Sequence, residues 1–212
     1  MARILHGYWR SSAAYRVRIA LAIKGLDYQS LSVNLRTGMQ ASEQFQSLNA
    51  QGFVPYFRDG DVSLRQSLAI IVYLEETYPR PALLPSSPAQ RARVRGLAQI
   101  VACDVHPINN LRVLKYLAAP LNLSQSQIDA WARHWIESGF ATLEAEADAT
   151  GPYLCGGMVT LADLCLVPQL YNARRVAVNL SAFPRLTAIE QQLMQLPAFD
   201  RSRPEAQPDA VA

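Results

Sequence analysis

Hydrophobic and polar positions along the first eighty residues switch repeatedly between strand-like and helix-like periods. Ile4 to Trp9 is a short apolar run and predicts a strand. Ser11 and Ser12 follow, hydroxyl residues of the kind that cap helices. Ala14 to Lys24 is rich in apolar residues, with Arg16 and Arg18 among them, and predicts a helix stopped by Gly25. Tyr28 to Val33 alternates and predicts a second strand, and a short helix is expected near Ser42 to Leu48. Phe53 to Phe57 predicts a third strand, with Pro55 at its start or edge because proline cannot donate a ladder hydrogen bond. Asp59-Gly60 signals a hairpin turn, Val62 to Leu64 the returning strand, and Gln66 to Tyr78 a helix halted by Pro79. The order β-α-β-α-β-β-α joins a βαβ unit to a hairpin with a covering helix.

The pattern changes after residue 78. Residues 79–88, PRPALLPSSP, hold four prolines and two serines and read as a linker. No convincing strand follows. Val94, Leu97, Ala98, Val101 and Val105 fall at helical spacing, as do Ile128, Trp131, Ala132, Trp135 and, roughly, Leu143. Pro107 must kink or end the first of these helices because it removes a backbone donor. Thr160 is followed three residues later by Asp163, close to a capping box, and an apolar helix to about Tyr171 is expected after it. The chain is therefore expected to be α/β plus all-α. One domain spans 1–80, a linker 81–88 and a helical domain 89–212, with a mobile tail after Pro204.

Composition narrows the class. Half of the 212 residues are hydrophobic and 17% are charged, enough apolar surface to bury a core. The net charge of +3 and the lack of any Lys/Arg run argue against a nucleic-acid partner. Residues 1–80 carry nine basic and six acidic side chains and the remainder eleven of each, a slight bias of the first part towards a small anion. No 18-residue apolar run predicts a membrane span. Polar and charged residues come too early in MARILHGYWRSS for a signal-peptide core. Cys103, Cys155 and Cys165 are an odd count without metal-type spacing, so a reduced, cytoplasmic protein with no disulfide framework and no metal site is expected. Cys103 and Cys165 read as core residues. Cys155, before Gly156-Gly157, is the one to test for reactivity, although a plain structural thiol is the simpler reading. His6 and His134 read as structural or solvated.

Three local patterns carry possible chemistry. Ser11 and Ser12 stand where a strand hands over to a helix, whose outward amides stabilise an anion such as a thiolate. One serine acting only as the cap explains the same pattern. Val54-Pro55 at a strand edge, with a cis bond, would expose the valine backbone to a ligand as a short template. Gln66-Ser67 starts a helix and could hold a carboxylate, or could be an ordinary cap.

The order of these segments resembles a cytosolic glutathione transferase: SSAAYRVRIALAIKGLDY, LNAQGFVPYFRDG, LRQSLAIIVYLEETYP, a proline-rich linker, helices, then TLADLCLVPQ. The SS-x-x-x-RVRIAL segment, Asp104 to Leu114 with its HPINN core, and Val167 to Arg175 are similar to the zeta class, which includes maleylacetoacetate isomerases. The resemblance covers nearly the whole chain. It implies a thioredoxin-like N-terminal domain, an all-helical C-terminal domain, a homodimer, and glutathione as the only cofactor. Ser11, with Ser12 beside it, matches the thiol-activating serine. Val54, next to Pro55, would pair with the cysteinyl backbone of glutathione, Gln66 and Ser67 would hold its γ-glutamyl carboxylate, and His106 and Asn110 would reach its glycyl end. The expected reaction is glutathione-dependent cis–trans isomerisation of maleylacetoacetate, in aromatic amino-acid catabolism. Three positions depart from the class pattern: Ala13 replaces a cysteine, Ala50 a frequent proline and Phe53 a common glutamine, so slightly altered glutathione contacts are expected at the last two.

A maleyl keto acid carries two carboxylates, and guanidinium groups grip carboxylates in a bidentate fork. Arg10, beside the serines and so also near the chemistry, is expected to form the dicarboxylate site with Arg112 and Arg175, with Arg174 in reserve for Arg175. Surface charge alone explains any one of these arginines. Three other readings stay open: a maleylpyruvate isomerase, a general conjugating or dehalogenating transferase, and a non-catalytic glutathione-binding interaction protein.

Overall fold

The computed structural model describes residues 3–211. Met1 and Ala2, on which the N-terminal reading partly rests, and Ala212 in the expected tail lie outside the described residues. The chain divides into two compact units, 1–82 with 195–212, and 83–194.

The first unit is built on a four-stranded mixed sheet in the order β2-β1-β3-β4. Its strands are β1 (Arg3–Gly7), β2 (Gln29–Ser32), β3 (Tyr56–Asp59) and β4 (Val62–Arg65). β1 runs parallel to β2, which requires a crossover, and α1 (Ser12–Ile23) supplies it. β3 pairs antiparallel with both β1 and β4. Asp59 faces Val62, so Gly60 and Asp61 form the two-residue turn, with Gly60 at φ 59°. That positive φ is what a tight hairpin demands of its first central residue. The signal at Asp59-Gly60 is thus one residue early. α1 ends as expected at Gly25, whose φ of 64° allows Leu26 N–H to reach Leu21 O at 2.9 Å. α2 (Glu43–Leu48) is capped by Ser42, whose Oγ accepts from Phe45 N–H at 3.2 Å. α3 (Ser67–Thr77) packs on α1.

α1 is buried almost all round, Arg16 and Arg18 included. Buried charges need partners. Arg18 donates through Nε to Ser202 O at 3.1 Å and through Nη2 to Trp9 O at 3.0 Å. Lys24 at the end of α1 meets Glu75 of α3 at 2.9 Å and the carbonyls of Tyr78 and Pro81 at 2.7 and 2.9 Å. α9 (Pro197–Asp200) packs against α1. The chain beyond Pro204 is not loose: Asp209 accepts from Trp9 N–H at 3.1 Å and from Ser32 Oγ at 2.7 Å. Those two bonds correct the expectation of a mobile tail. By compact unit, residues 195–212 group with the first.

The second unit is helical, with α4 (Pro88–Gln99), α5 (Leu111–Ala118), α6 (Gln125–Glu146), α7 (Leu161–Arg175) and α8 (Pro184–Met194). An isolated bridge between Tyr153 and Gly156 is its only strand-like pairing among the described residues. α7 is apolar on every side from Leu164 to Leu170 apart from Gln169, and it packs against α4, α6 and α8. A helix hydrophobic all round belongs at the centre of a bundle. Asp163 fixes its start: Oδ2 accepts from Thr160 N–H at 2.7 Å and Oγ1 at 2.8 Å, while Oδ1 accepts from Leu154 N–H at 2.8 Å. The expected linker is partly core, since Leu83 and Leu84 are buried and Leu83 O accepts from Leu161 N–H.

Pro107 acts before it is reached. α4 runs into a π-helical turn over Ile100–Val105, and His106 N–H bonds to Val101 O at 2.8 Å. Proline offers no N–H to continue the ladder, so the helix widens and then stops. Gly139 of α6 lies against this turn, where a Cβ would stand 2.3 Å from Val105 Cγ2.

Candidate active site

Three chain segments of the first unit carry the residues expected at an anion and peptide site. The first is the N-terminus of α1. Ser11 is its N-cap, with φ −70° and ψ 112°, and Oγ accepts from Ala14 N–H at 3.2 Å. Cap and catalytic readings are compatible here. A hydroxyl has one proton and two lone pairs, and the cap uses only a lone pair. The Ser11 proton is left to donate to an anion drawn to the helix N-terminus. Ser12 is buried, whereas Ser11 is half-buried, so Ser11 is the more accessible of the two. Arg10 stacks its guanidinium 4.8 Å from the Trp9 ring.

The second segment precedes β3. The Val54-Pro55 bond is cis, as expected. Val54 packs on Val33, Phe45 and Tyr56, and its backbone N–H and C=O make no backbone hydrogen bond among the described residues. A backbone pair without ladder bonds is what an extended peptide needs for strand-like pairing. Asn49 braces the loop before it, donating from Nδ2 to Phe53 O at 2.7 Å and accepting at Oδ1 from Gln51 N–H at 3.2 Å. Nothing in the spacing of the sequence marked Asn49. Its burial at 1% exposure is the structural signal.

The third segment is the N-terminus of α3. Gln66 precedes it at φ 68°, a left-handed conformation that costs a non-glycine residue of order 1–3 kcal/mol. Such strain is retained where surrounding structure or a ligand demands it. Gln66 Nε2 donates to Gln51 Oε1 at 2.8 Å. Ser67 is buried, and its Oγ accepts from Arg16 Nη1 at 3.2 Å. Arg16 was read only as a helix residue. It places a buried cation behind the helix N-terminus expected to hold a carboxylate, and both features favour an anion there. Polar groups at Val54, Gln66 and Ser67, with a hydroxyl at Ser11, fit a short thiol peptide bearing a terminal carboxylate.

The expected residues of the second unit lie on two of its elements. His106 and Asn110 flank the short 3-10 turn Pro107–Asn109 and are half-buried. Asn110 caps α5, its Oδ1 accepting from Arg112 N–H at 3.2 Å. Arg112 itself is exposed in the first turn of α5. Arg174 and Arg175 end α7 and differ sharply. Arg174 forms a fork with both carboxylate oxygens of Glu190 on α8, and that hydrogen bonding raises its pKa further. Arg175 is exposed and lies 3.5 Å from Asn172 Oδ1. Glu190 thus engages the Arg174 guanidinium, while Arg175 extends from the exposed end of α7.

Cysteine chemistry is absent from these segments. Cys165 is buried in α7 as expected, but Cys103 is exposed on the π-helical turn rather than in the core. At about 100° per residue, Cys103 falls about 180° round the helix from Val94, opposite the buried stripe of Val94, Leu97 and Val101, so the apolar run misplaced it. Burial pushes the Cys155 thiol up to about 11, with the nearby Asp163 adding to the rise, so it remains protonated near neutral pH. A cavity of about 390 Å³ beside Cys155, lined also by Arg93, Asp148, Met158 and Thr160, holds none of the expected site residues. His6 is packed beside Phe45 and Tyr56, and desolvation lowers its pKa. No group of metal-ligating side chains occurs among the described residues, and no helix is long and apolar enough to cross a membrane.

Known proteins share the sequence pattern and the fold of this chain. Residues 1–76 match the glutathione S-transferase N-terminal domain, and residues 125–199 match the glutathione S-transferase C-terminal domain. The chain belongs to the glutathione S-transferase family. A probable maleylacetoacetate isomerase of Vibrio cholerae is 50% identical to this transferase, over 99% of both chains. The structure of a bacterial zeta-class maleylpyruvate isomerase matches it with a TM-score of 0.97 and 44% identity, covering 98% of this chain and 100% of the other. A maleylacetoacetate isomerase from Methylobacterium extorquens AM1, solved with bound malonate and glutathione, matches with a TM-score of 0.95 and 40% identity, covering 99% and 100%. The transferase is thus of the zeta class, with the thioredoxin-like and helical domains expected. Its Ala13 stands in the first turn of α1, so no protein thiol is present there.

Proposed function

We infer that this transferase is a glutathione-dependent cis–trans isomerase of maleylacetoacetate, giving fumarylacetoacetate. The observation that carries the reading is Ser11, a cap whose hydroxyl proton is left over at a helix N-terminus. Identity of 50% to a probable maleylacetoacetate isomerase, over nearly the full length, supports the substrate class. Glutathione, when bound, supplies the thiolate whose addition turns the C=C bond into a rotatable single bond and whose departure restores it in the trans form.

The chain's own residues have four tasks. Ser11 Oγ–H and the first-turn amides of α1 favour the thiolate over the thiol, whose ordinary pKa is about 8.5. Val54 offers its backbone N–H and C=O to the cysteinyl residue. Gln66 and Ser67 hold the γ-glutamyl carboxylate, with Arg16 behind Ser67, and His106 and Asn110 serve the glycyl end. Arg10, Arg112 and Arg175 hold the two carboxylates of the maleyl keto acid, and their charge favours the negative charge that develops on the substrate. The same reading carries a homodimer and a cytoplasmic location.

The test follows isomerisation of maleylacetoacetate spectroscopically, with and without glutathione, beside maleylpyruvate. Glutathione-dependent turnover with a preference for maleylacetoacetate is expected. A preference for maleylpyruvate would keep the mechanism and change the substrate. Glutathione binding without turnover of either would overturn the reading in favour of a conjugating or binding protein. Arg175→Ala is expected to raise KM for the dicarboxylate about tenfold or more, as loss of a charge-assisted contact does, with Arg174→Ala nearly silent on KM. The reverse order would return Arg174 to the site.

A further inference from the structure

We propose that the C-terminal segment of the first unit is a strap that positions Arg10 and Ser11, with Asp209 as its positioning residue. The proposal rests on the isomerase reading for its kinetic arm only.

The turn between β1 and α1 carries Arg10 and Ser11, and it is held from both sides by groups tied to the C-terminus. Trp9 N–H donates to Asp209 Oδ2 at 3.1 Å. The same oxygen accepts from Ser32 Oγ at 2.7 Å, so one carboxylate joins the ends of the neighbouring strands β1 and β2. On the other side, Tyr8 O and Trp9 O accept from Arg18 at 3.5 and 3.0 Å, and Arg18 Nε donates to Ser202 O at 3.1 Å. Gln207 Nε2 donates to Arg201 O and Arg203 O at 3.1 and 2.8 Å, which coils residues 201–207 and returns Asp209 to the sheet.

Consequences follow for both residues. Arg10 stacks on the Trp9 ring, and a long side chain stacked on a pinned residue has less rotamer entropy left to lose on binding. Ser11 N–H bonds back to Tyr8 O at 2.9 Å, so the turn whose ends the strap holds is also the one that sets the Ser11 backbone. Asp209 touches neither glutathione nor substrate in this account and acts through Trp9.

Asp209→Ala removes the acceptor, and Asp209→Asn keeps an oxygen that can accept both bonds. Amide hydrogen exchange over residues 8–11 is measured in each variant, together with kcat, KM for the dicarboxylate and the thiol pKa of bound glutathione. Asp209→Ala is expected to speed exchange, raise KM or lower kcat about tenfold, and raise the thiol pKa, with rescue of each by Asp209→Asn. Unchanged exchange would overturn the strap. Faster exchange with unaltered KM, kcat and thiol pKa would overturn positioning and leave a structural contact. Wild-type protein without isomerase turnover would sink the functional reading instead. The strap would then stand or fall on exchange and thiol pKa alone.

Discussion

At the scale of single residues, the cap that Ser11 forms and the chemistry proposed for it use different parts of one hydroxyl. Its lone pair caps α1 and its proton is the one proposed for the thiolate, so the two roles have separable signatures. Ser11→Ala is expected to cost about 1 kcal/mol of stability through the lost cap. It is also expected to lower kcat by about 100-fold, the loss seen when one preorganised donor is removed, with little change in glutathione affinity. Ser11→Thr keeps the hydroxyl and should recover most of the rate. Stability loss with unchanged kcat would leave Ser11 as a cap only. Ser11, Val54, Gln66 and Ser67 were legible in the sequence because each sits beside a local mark, a helix start or a strand-edge proline. Arg16, Asn49 and Asp209 carried no such mark. Their partners lie at Ser67, Phe53 and Trp9, and Arg16 and Asp209 reach theirs only when the sheet and helices have closed. The different surroundings of Arg174 and Arg175 were likewise invisible, because Glu190, the partner of Arg174, belongs to the next helix.

At the scale of elements, the junction of α4 and α6 ties a proline to a glycine. Pro107 forces the π-helical turn, and that turn pushes Val105 towards α6, where only a glycine leaves room. Gly139→Ala adds a Cβ that would overlap the Val105 side chain, so α6 or the turn must shift. Overpacking of this kind costs about 1–3 kcal/mol, against about 1 kcal/mol gained from alanine's better helix propensity, and a 2.3 Å approach puts the cost at the upper end. The midpoint of urea unfolding should fall accordingly, with an unchanged slope. A rise in the midpoint would show that the turn is free to relax. The sequence marked Pro107 as a breaker but not the form of the break, because a widened turn and a clean stop remove the same hydrogen bond.

For the molecule as a whole, the start of α7 couples folding to pH. Burial pushes Asp163 up to about 6 from 3.8, even though it accepts hydrogen bonds from Leu154 and Thr160. The folded state therefore binds more protons than the unfolded state between those two values. Stability from this group is fully present below about pH 4 and declines as pH rises through about 6, by about 3 kcal/mol for a shift of two pKa units. Asp163→Asn removes the titration and should be destabilised at every pH, because its amide replaces one acceptor. Its deficit against the wild type is expected to narrow between pH 4 and 7, read from thermal unfolding. A deficit that widens over that range would mean the hydrogen bonds outweigh burial and the carboxylate is held low.

Local pattern by itself determined the strands, most of the helices, the α/β-then-helical order and the N-terminal ends of α1 and α3. Those features depend on periodicity, caps and breakers, which act within a few residues. Tertiary structure decided the rest. It brought 195–212 back to the first unit, turned a presumed loose end into the partner of Trp9, and buried Leu83 and Leu84 of the presumed linker. It also buried Arg16 and Arg18 inside α1, which helical periodicity alone would leave at the surface. The physical reason is common to all of these. A hydrogen bond or ion pair between residues far apart in the chain has no local signature, because either side chain alone is compatible with solvent. Only the closed fold, in which water is gone, makes the partner obligatory.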